Sequence, residues 1–243
     1  MIDPWLWLGL CILLAYTVEA VTGFGSIVIA LSLGALLLPI PELLPVLVPL
    51  NIAMSGYLSI RHRAHIHWPT LLKLILPLMA LGTLCGYWLR PSLGSAVLQT
   101  LFGVLIVWFA GRELWRLRGA ATPAGHAPAT TGALMLAAGV THGLFASGGP
   151  LLVYALAGNR LNKSELRATL IAVWFSLNGL LTLIFLADGS LLPALPRLLT
   201  YLPIVVVGVI IGERLHRRID ERQFRRLGFA LLALTGLILT LSG

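Results

Sequence analysis

Two ionisable side chains stand deep inside apolar stretches of this chain: Glu19, just ahead of "VTGFGS", and His142, at the head of "HGLFASGGP". A carboxylate and an imidazole in such surroundings can take up and release a proton. A charged residue at the centre of a membrane-spanning helix costs about 2.5–3.5 kcal/mol on insertion scales, so function is the first reading for each. The glycines beside them offer a second chemistry. Glycine lets a ligand approach the backbone closely. The first amides of a helix have no intrahelical partner and carry partial positive charge, which suits a small anion. Ser26 and Ser147 can cap such a helix start or donate to a ligand oxygen, and Pro150 suits its first turn. Farther along, Asn51, Ser55 and Asn178 could bond an oxyanion.

Each of these has a plainer reading. Small residues let membrane helices pack closely, buried amides and hydroxyls bond neighbouring helices, and Glu19 and His142 could be neutral structural groups.

The elements that must position these residues are apolar helices. Of the 243 residues 58% are hydrophobic and 11% charged, and mean hydropathy is +0.93. A soluble domain carries about 25% charged residues. Runs 43–60, 71–89, 96–114, 166–187, 196–213 and 224–242 each suit a helix through a hydrocarbon core of about 30 Å. They lack the alternation of barrel strands. The net charge of +8 reads as basic cytoplasmic loops rather than nucleic-acid binding. Cys11 and Cys85 give no disulfide framework or metal spacing. The N-terminal "MIDPWLWLGL" is not read as a removable leader.

A linker, 118–131, separates two similar halves, 1–117 and 132–243. A shift of 123 pairs Gly9 with Gly132, Gly25 with Gly148, Glu42 with Glu165, Gly56 with Gly179, and Glu19 with His142. After a small insertion, "LPLMALGTLCG" (76–86) matches "LPIVVVGVIIG" (202–212), and Gly103 and Gly111 pair with Gly228 and Gly236. Order is kept throughout, as duplication requires.

Run 5–38 is too long for one ordinary crossing, and 132–157 is a little long as well. Each is either one kinked crossing or a hairpin that turns at its glycines. Lys and Arg separate these readings. Single crossings place 7 basic residues on one side and 10 on the other, whereas hairpins place 15 on one side and only Arg90 and Arg197 on the other. The second pattern is what a positive cytoplasmic face demands. The expected fold is therefore an all-α membrane protein of two inverted-topology homologous halves. Each half is a re-entrant broken-helix hairpin (about 5–38 or 132–157) plus three transmembrane helices, with both termini outside. Transporters use this architecture and hold substrate near the midplane.

"VTGFGSIVIALSLGALLLP" followed by "LNIAMSGYLSIRHR", and "GLFASGGPLLVYAL" followed by "KSELRATLIAVWFSLNG", resemble the TauE/SafE sulfite exporter family over nearly the whole chain. The resemblance implies a secondary carrier of small sulfur-containing anions such as sulfite, sulfoacetate or other organosulfonates. It implies two homologous halves, the bacterial inner membrane, and export. It marks Gly23, Phe24, Gly25 and Ser26 in the first half and Ser147, Gly148, Gly149 and Pro150 in the second. Glu19 and His142 lie outside that motif, so proton coupling rests on their burial alone.

Two other function classes compete. "FASG" is similar to the setting of an intramembrane serine protease, but Phe145 replaces a glycine and His142 lies on the arm leading into the same turn as Ser147. A scaffold without substrate would leave polar backbone at membrane depth unused. "RHRAHIHW" could chelate metal through His65 and His67, though a basic loop beside Trp68 reads more simply. The expected partners are a small anion and anionic headgroups at the basic run 214–226, with no nucleic acid and no cofactor. Trp5, Trp7, Trp88 and Trp115 read as interface anchors, and a homodimer stays open.

Overall fold

The computed structural model describes residues 3–22, 25–119, 126–156, 161–216 and 221–242. The described residues form helices and turns, with no strand. In order they are α1 (Pro4–Thr22), α2 (Ser26–Gly34), α3 (Ile40–Arg61), α4 (Trp68–Thr70), α5 (Leu76–Leu89), α6 (Ser95–Arg116), α7 (Pro128–Phe145), α8 (Gly149–Ala155), α9 (Lys163–Ala187), α10 (Leu191–His216) and α11 (Glu221–Ser242). α4 runs into α5 through a π turn, Leu71–Ile75. Pro77 lacks the amide that would bond back into that segment, and the turn widens ahead of it. Among the described residues, five segments are long and apolar enough to cross a membrane: Ile40–Arg61, Trp68–Ser92, Ser95–Arg116, Ser164–Ala187 and Leu191–Gly212. Leu81, Leu183, Leu199 and Leu234 turn outward from them or from α11, each more than half exposed. Water would not tolerate that much exposed apolar surface, but lipid does.

Both long apolar runs break where the glycines fall. α2 starts after Gly25, whose φ of 102° lies in the left-handed region, where a side chain is strained. α7 ends at Ala146 with φ 51°. The second arm then returns along the first. Trp7 Nε1 donates to Leu33 O at 2.9 Å, and the His126 and Tyr154 rings meet edge to face at 4.7 Å.

The chain divides into two compact units: Met1–Leu47, Leu93–Ala121 and Pro193–Gly243 in one, Val48–Ser92 and Thr122–Leu192 in the other. In the first, α10 packs on α1. A Cβ on Gly208 would meet Leu13 O and Tyr16, and one on Gly212 would meet Thr17 O and Ala20. α6 and α11 run antiparallel: Gln99 bonds Ser242, Gly103 touches Gly236, and Phe109 meets Phe229 edge to face at 5.5 Å.

In the second unit, α5 packs on α7 in the same manner. A Cβ on Gly82 would meet Leu136 O and Gly139, and one on Gly86 would meet Val140 O. These partners stand 123 residues beyond Leu13, Tyr16 and Thr17. Only glycine allows backbones this close. α3 and α9 run antiparallel: Asn51 pairs with Asn178, Gly56 with Phe175, and the His67 amide donates to Thr169 Oγ1 at 3.0 Å. α9 starts with a capping box. Asn162 Oδ1 accepts from the amides of Ser164 and Glu165, and Glu165 accepts from the Asn162 amide at 3.0 Å, satisfying orphan donors. Met79, Met135, Ala138, Leu152 and Val173 form the core around these helices.

Candidate functional site

In the first unit the site begins at the start of α2. Helix α1 carries Glu19, 7% exposed, back toward the turn. Its Oε2 accepts the Ser26 amide at 3.1 Å. Ser26 is the first residue of a nine-residue helix. An amide there has no intrahelical acceptor, and a carboxylate is a favourable partner for it. The chain thus supplies its own carboxyl oxygen at this helix start. Gly25 adopts the left-handed conformation that lets the backbone turn there. Gly23 and Phe24 lie outside the described residues.

In the second unit the equivalent of Glu19 is His142, and the arrangement differs. His142 is wholly buried, and its ring lies beside the Asn178 side-chain amide. Its ring stacks on Trp174, centroids 5.9 Å apart and planes 18° from parallel. Gly148 lies against His142 and Met79, and a Cβ on Gly149 would stand 3.3 Å from the Trp174 indole. One turn along α9, Asn178 Nδ2 donates to Asn51 Oδ1 at 2.8 Å, while Asn178 Oδ1 is buried beside the His142 ring. Four predicted residues, His142, Asn178, Gly148 and Gly149, therefore meet around Trp174, and Asn51 joins them through Asn178.

Two predicted hydroxyls turn to their own backbone. Ser55 donates to Asn51 O at 2.8 Å and Ser147 to Phe145 O at 2.9 Å. A proton so committed is not available to a ligand, although the oxygens can still accept. Neither nitrogen of His142 bonds Ser147, so the nucleophile–base pair of a serine protease is not formed here. Sequence reasoning passed over Trp174. Its signal was its place in mid-span, four residues before Asn178 and so on the same helix face.

Other singled-out residues have simple structural tasks. His67 Nδ1 accepts the Thr70 amide at 3.3 Å and caps α4. Among the described residues no cluster of three or more His, Cys, Asp or Glu could hold a metal. Trp68, Trp88 and Trp115 are exposed at or near helix ends, where amphipathic rings suit the headgroup level. Cys11 is buried and Cys85 exposed, both free. Much of the basic run 214–226 lies outside the described residues or side chains.

A polytopic helical membrane protein with broken apolar helices and a buried polar cluster belongs, as a class, with membrane carriers. Residues 8–239 match the family model described as "Sulfite exporter TauE/SafE"; the chain belongs to that family, whose members are transporters. It is 33% identical over 170 residues to the "Probable inner membrane transporter protein TsaS" of Comamonas testosteroni, covering 68% of this chain and 70% of that one. It is 28% identical over 224 residues to the "Probable sulfite/organosulfonate exporter TauE" of Cupriavidus necator, covering 88% of this chain and 85% of that one. No solved structure matches it.

Proposed function

We propose that the chain is a secondary transporter that exports small sulfur-containing anions, such as sulfite, sulfoacetate or other organosulfonates, across the bacterial inner membrane. The substrate class comes from the names of its relatives. The observation that carries the mechanism is the bond from the Ser26 amide to the Glu19 carboxylate. A half-helix start that already accommodates one carboxylate has the chemistry to hold another oxyanion.

In this reading the anion sits near the midplane on half-helix amide ends, and Glu19 couples it to protons. The carboxylate and the solute compete for the same donors. A proton on Glu19 removes the competitor, so anion and proton load together and move in the same direction. His142 is the second candidate carrier. The remaining residues proposed to line the solute are Gly23, Phe24, Gly25, Asn51, Ser55, Ser147, Gly148, Gly149 and Asn178. Ser55 and Ser147 would serve through oxygen lone pairs.

An inverted repeat underlies this reading. It is supported by the antiparallel course of α3 against α9 and of α6 against α11, since each pair joins corresponding spans of the two halves. The equivalent glycine contacts of α5 on α7 and α10 on α1 support it too.

The test is flux of sulfite, sulfoacetate, sulfate and acetate in proteoliposomes, with and without a pH gradient. Sulfur oxyanions should be carried, faster when the loading side is acidified. Flux of cations or neutral solutes alone would remove the anion reading. Cysteine accessibility should place 39–45 and 158–164 on opposite faces; the same face for both would remove the inverted repeat.

A further inference from the structure

Most helical hydroxyls in this protein behave alike. Ser55, Ser176, Thr200, Thr235 and Thr240 each donate to the carbonyl four residues back at 2.8 Å. That local bond is the ordinary solution for serine and threonine in an apolar helix. Ser59 and Thr182 depart from it, as does Thr83 on α5. Their hydroxyl oxygens are buried and have no hydrogen-bond partner. A buried donor left unmet is costly, and the local carbonyl is within reach of any such side chain.

Ser59 and Thr182 are not scattered. Ser59 lies on α3 at the end of the series Asn51, Ser55, Ser59, and Thr182 lies on α9 at the end of Trp174, Asn178, Thr182. Four-residue steps put each series along one helix face. The two series are the same three positions of the duplicated halves, 123 apart. They are joined by the Asn178–Asn51 bond. Because α3 and α9 run antiparallel, Ser59 and Thr182 fall on opposite sides of that bond, roughly 18 Å apart along the pair at 1.5 Å per residue. Between them lies the Asn178 side chain.

We propose that Ser59 and Thr182 are a pair of stations for the oxygens of the transported anion, one on each side of the asparagine pair. The inference rests on the transport reading and extends it to two residues outside the hairpin turns. A hydroxyl with no protein acceptor supplies a donor to a passing oxyanion. Equivalent placement in the two halves gives the solute similar contacts on entry and exit.

The test uses the full chain in proteoliposomes, with Ser59→Cys and Thr182→Cys made separately on a Cys11→Ala, Cys85→Ala background. The probe is 2-sulfonatoethyl methanethiosulfonate, itself a small organosulfonate. The protecting solute is sulfoacetate, because sulfite attacks the probe. Both introduced thiols should react. Sulfoacetate at about ten times its half-saturating concentration should slow each reaction about tenfold, as the free fraction falls. Ser59→Ala and Thr182→Val should each raise the half-saturating concentration about tenfold, as expected for one lost hydrogen bond to a charged group. Thiols that do not react overturn the proposal, and so do thiols that react without protection while the Ala and Val variants keep normal saturation. A parent chain that carries no sulfur oxyanion removes the transport reading, and this inference with it.

Discussion

The Glu19 carboxylate accepts the Ser26 amide at 3.1 Å, so a residue in the last turn of α1 bonds the first amide of α2. At the position 123 residues farther on stands His142, wholly buried beside the Asn178 side chain. The two turns are therefore chemically unequal at positions 123 residues apart. One turn carries a carboxyl group; the other carries an imidazole stacked on Trp174.

Glu19→Gln should preserve the cap, since an amide oxygen can accept from Ser26, while removing the titrating group. Sulfoacetate flux should then lose its acceleration on the acid side and become flat with pH. Glu19→Ala leaves a buried amide without its acceptor and should destabilise the protein by about 1–3 kcal/mol. Flux against loading-side pH and thermal unfolding in detergent separate the two effects. A Glu19→Gln variant with the parent's pH profile would eliminate Glu19 as the carrier.

The glycine contacts make a sharp stability prediction. On Gly82 a Cβ would run into the Leu136 carbonyl, whereas on Gly111 it would meet nothing within 4 Å. Gly82→Ala should cost about 1–3 kcal/mol through backbone displacement. Gly111→Ala, in an open helical position, should be neutral or stabilising by up to about 1 kcal/mol. Melting temperatures of the two variants in the same detergent check this.

These cases also mark how far the sequence could be read. The break at Gly25 was legible because its left-handed conformation favours glycine; in the second run the left-handed residue is Ala146, which residue type alone does not mark. The apolar runs stood out because lipid removes the need for polar faces. Partner choice was not legible. Gly82 and Gly208 could be aligned as duplicates, but alignment does not say that one meets Leu136 and the other Leu13. Hydroxyl commitments were equally hidden: Ser55 and Ser147 were read as ligand donors, and both turn to local carbonyls. Trp174 was lost among tryptophans read as interface anchors, although it lies inside a span.

Asn51 and Asn178 should be coupled. The bond between them is 2.8 Å long and buried, and each single truncation removes that bond from the partner's amide. A double-mutant cycle with Asn51→Ala and Asn178→Ala, read by unfolding, should give a coupling of about 0.5–1.5 kcal/mol, within the range for polar pairs between membrane helices. A coupling of zero would mean the two amides are satisfied separately.

Asp188 supplies a pH-dependent contact just beyond the end of α9. Burial pushes its carboxyl up. Hydrogen bonds from Ser190 and Tyr87, together with the nearby Arg90 guanidinium, outweigh that and hold it below the usual carboxylate range. Tyr87 Oη donates to it, and the Ser190 amide donates at 2.8 Å. A depressed folded-state value means the stabilisation is present above the unfolded carboxyl's pKa and is lost as pH falls through the folded one. The parent should therefore lose stability on acidification below the ordinary carboxylate range, and Asp188→Asn should remove this contact's share of the loss. The effect should be small, up to about 1 kcal/mol, because Asp188 is exposed and water screens it. Unfolding of parent and variant across the acid range measures it; parallel curves would show that the Tyr87–Asp188 contact contributes nothing to stability.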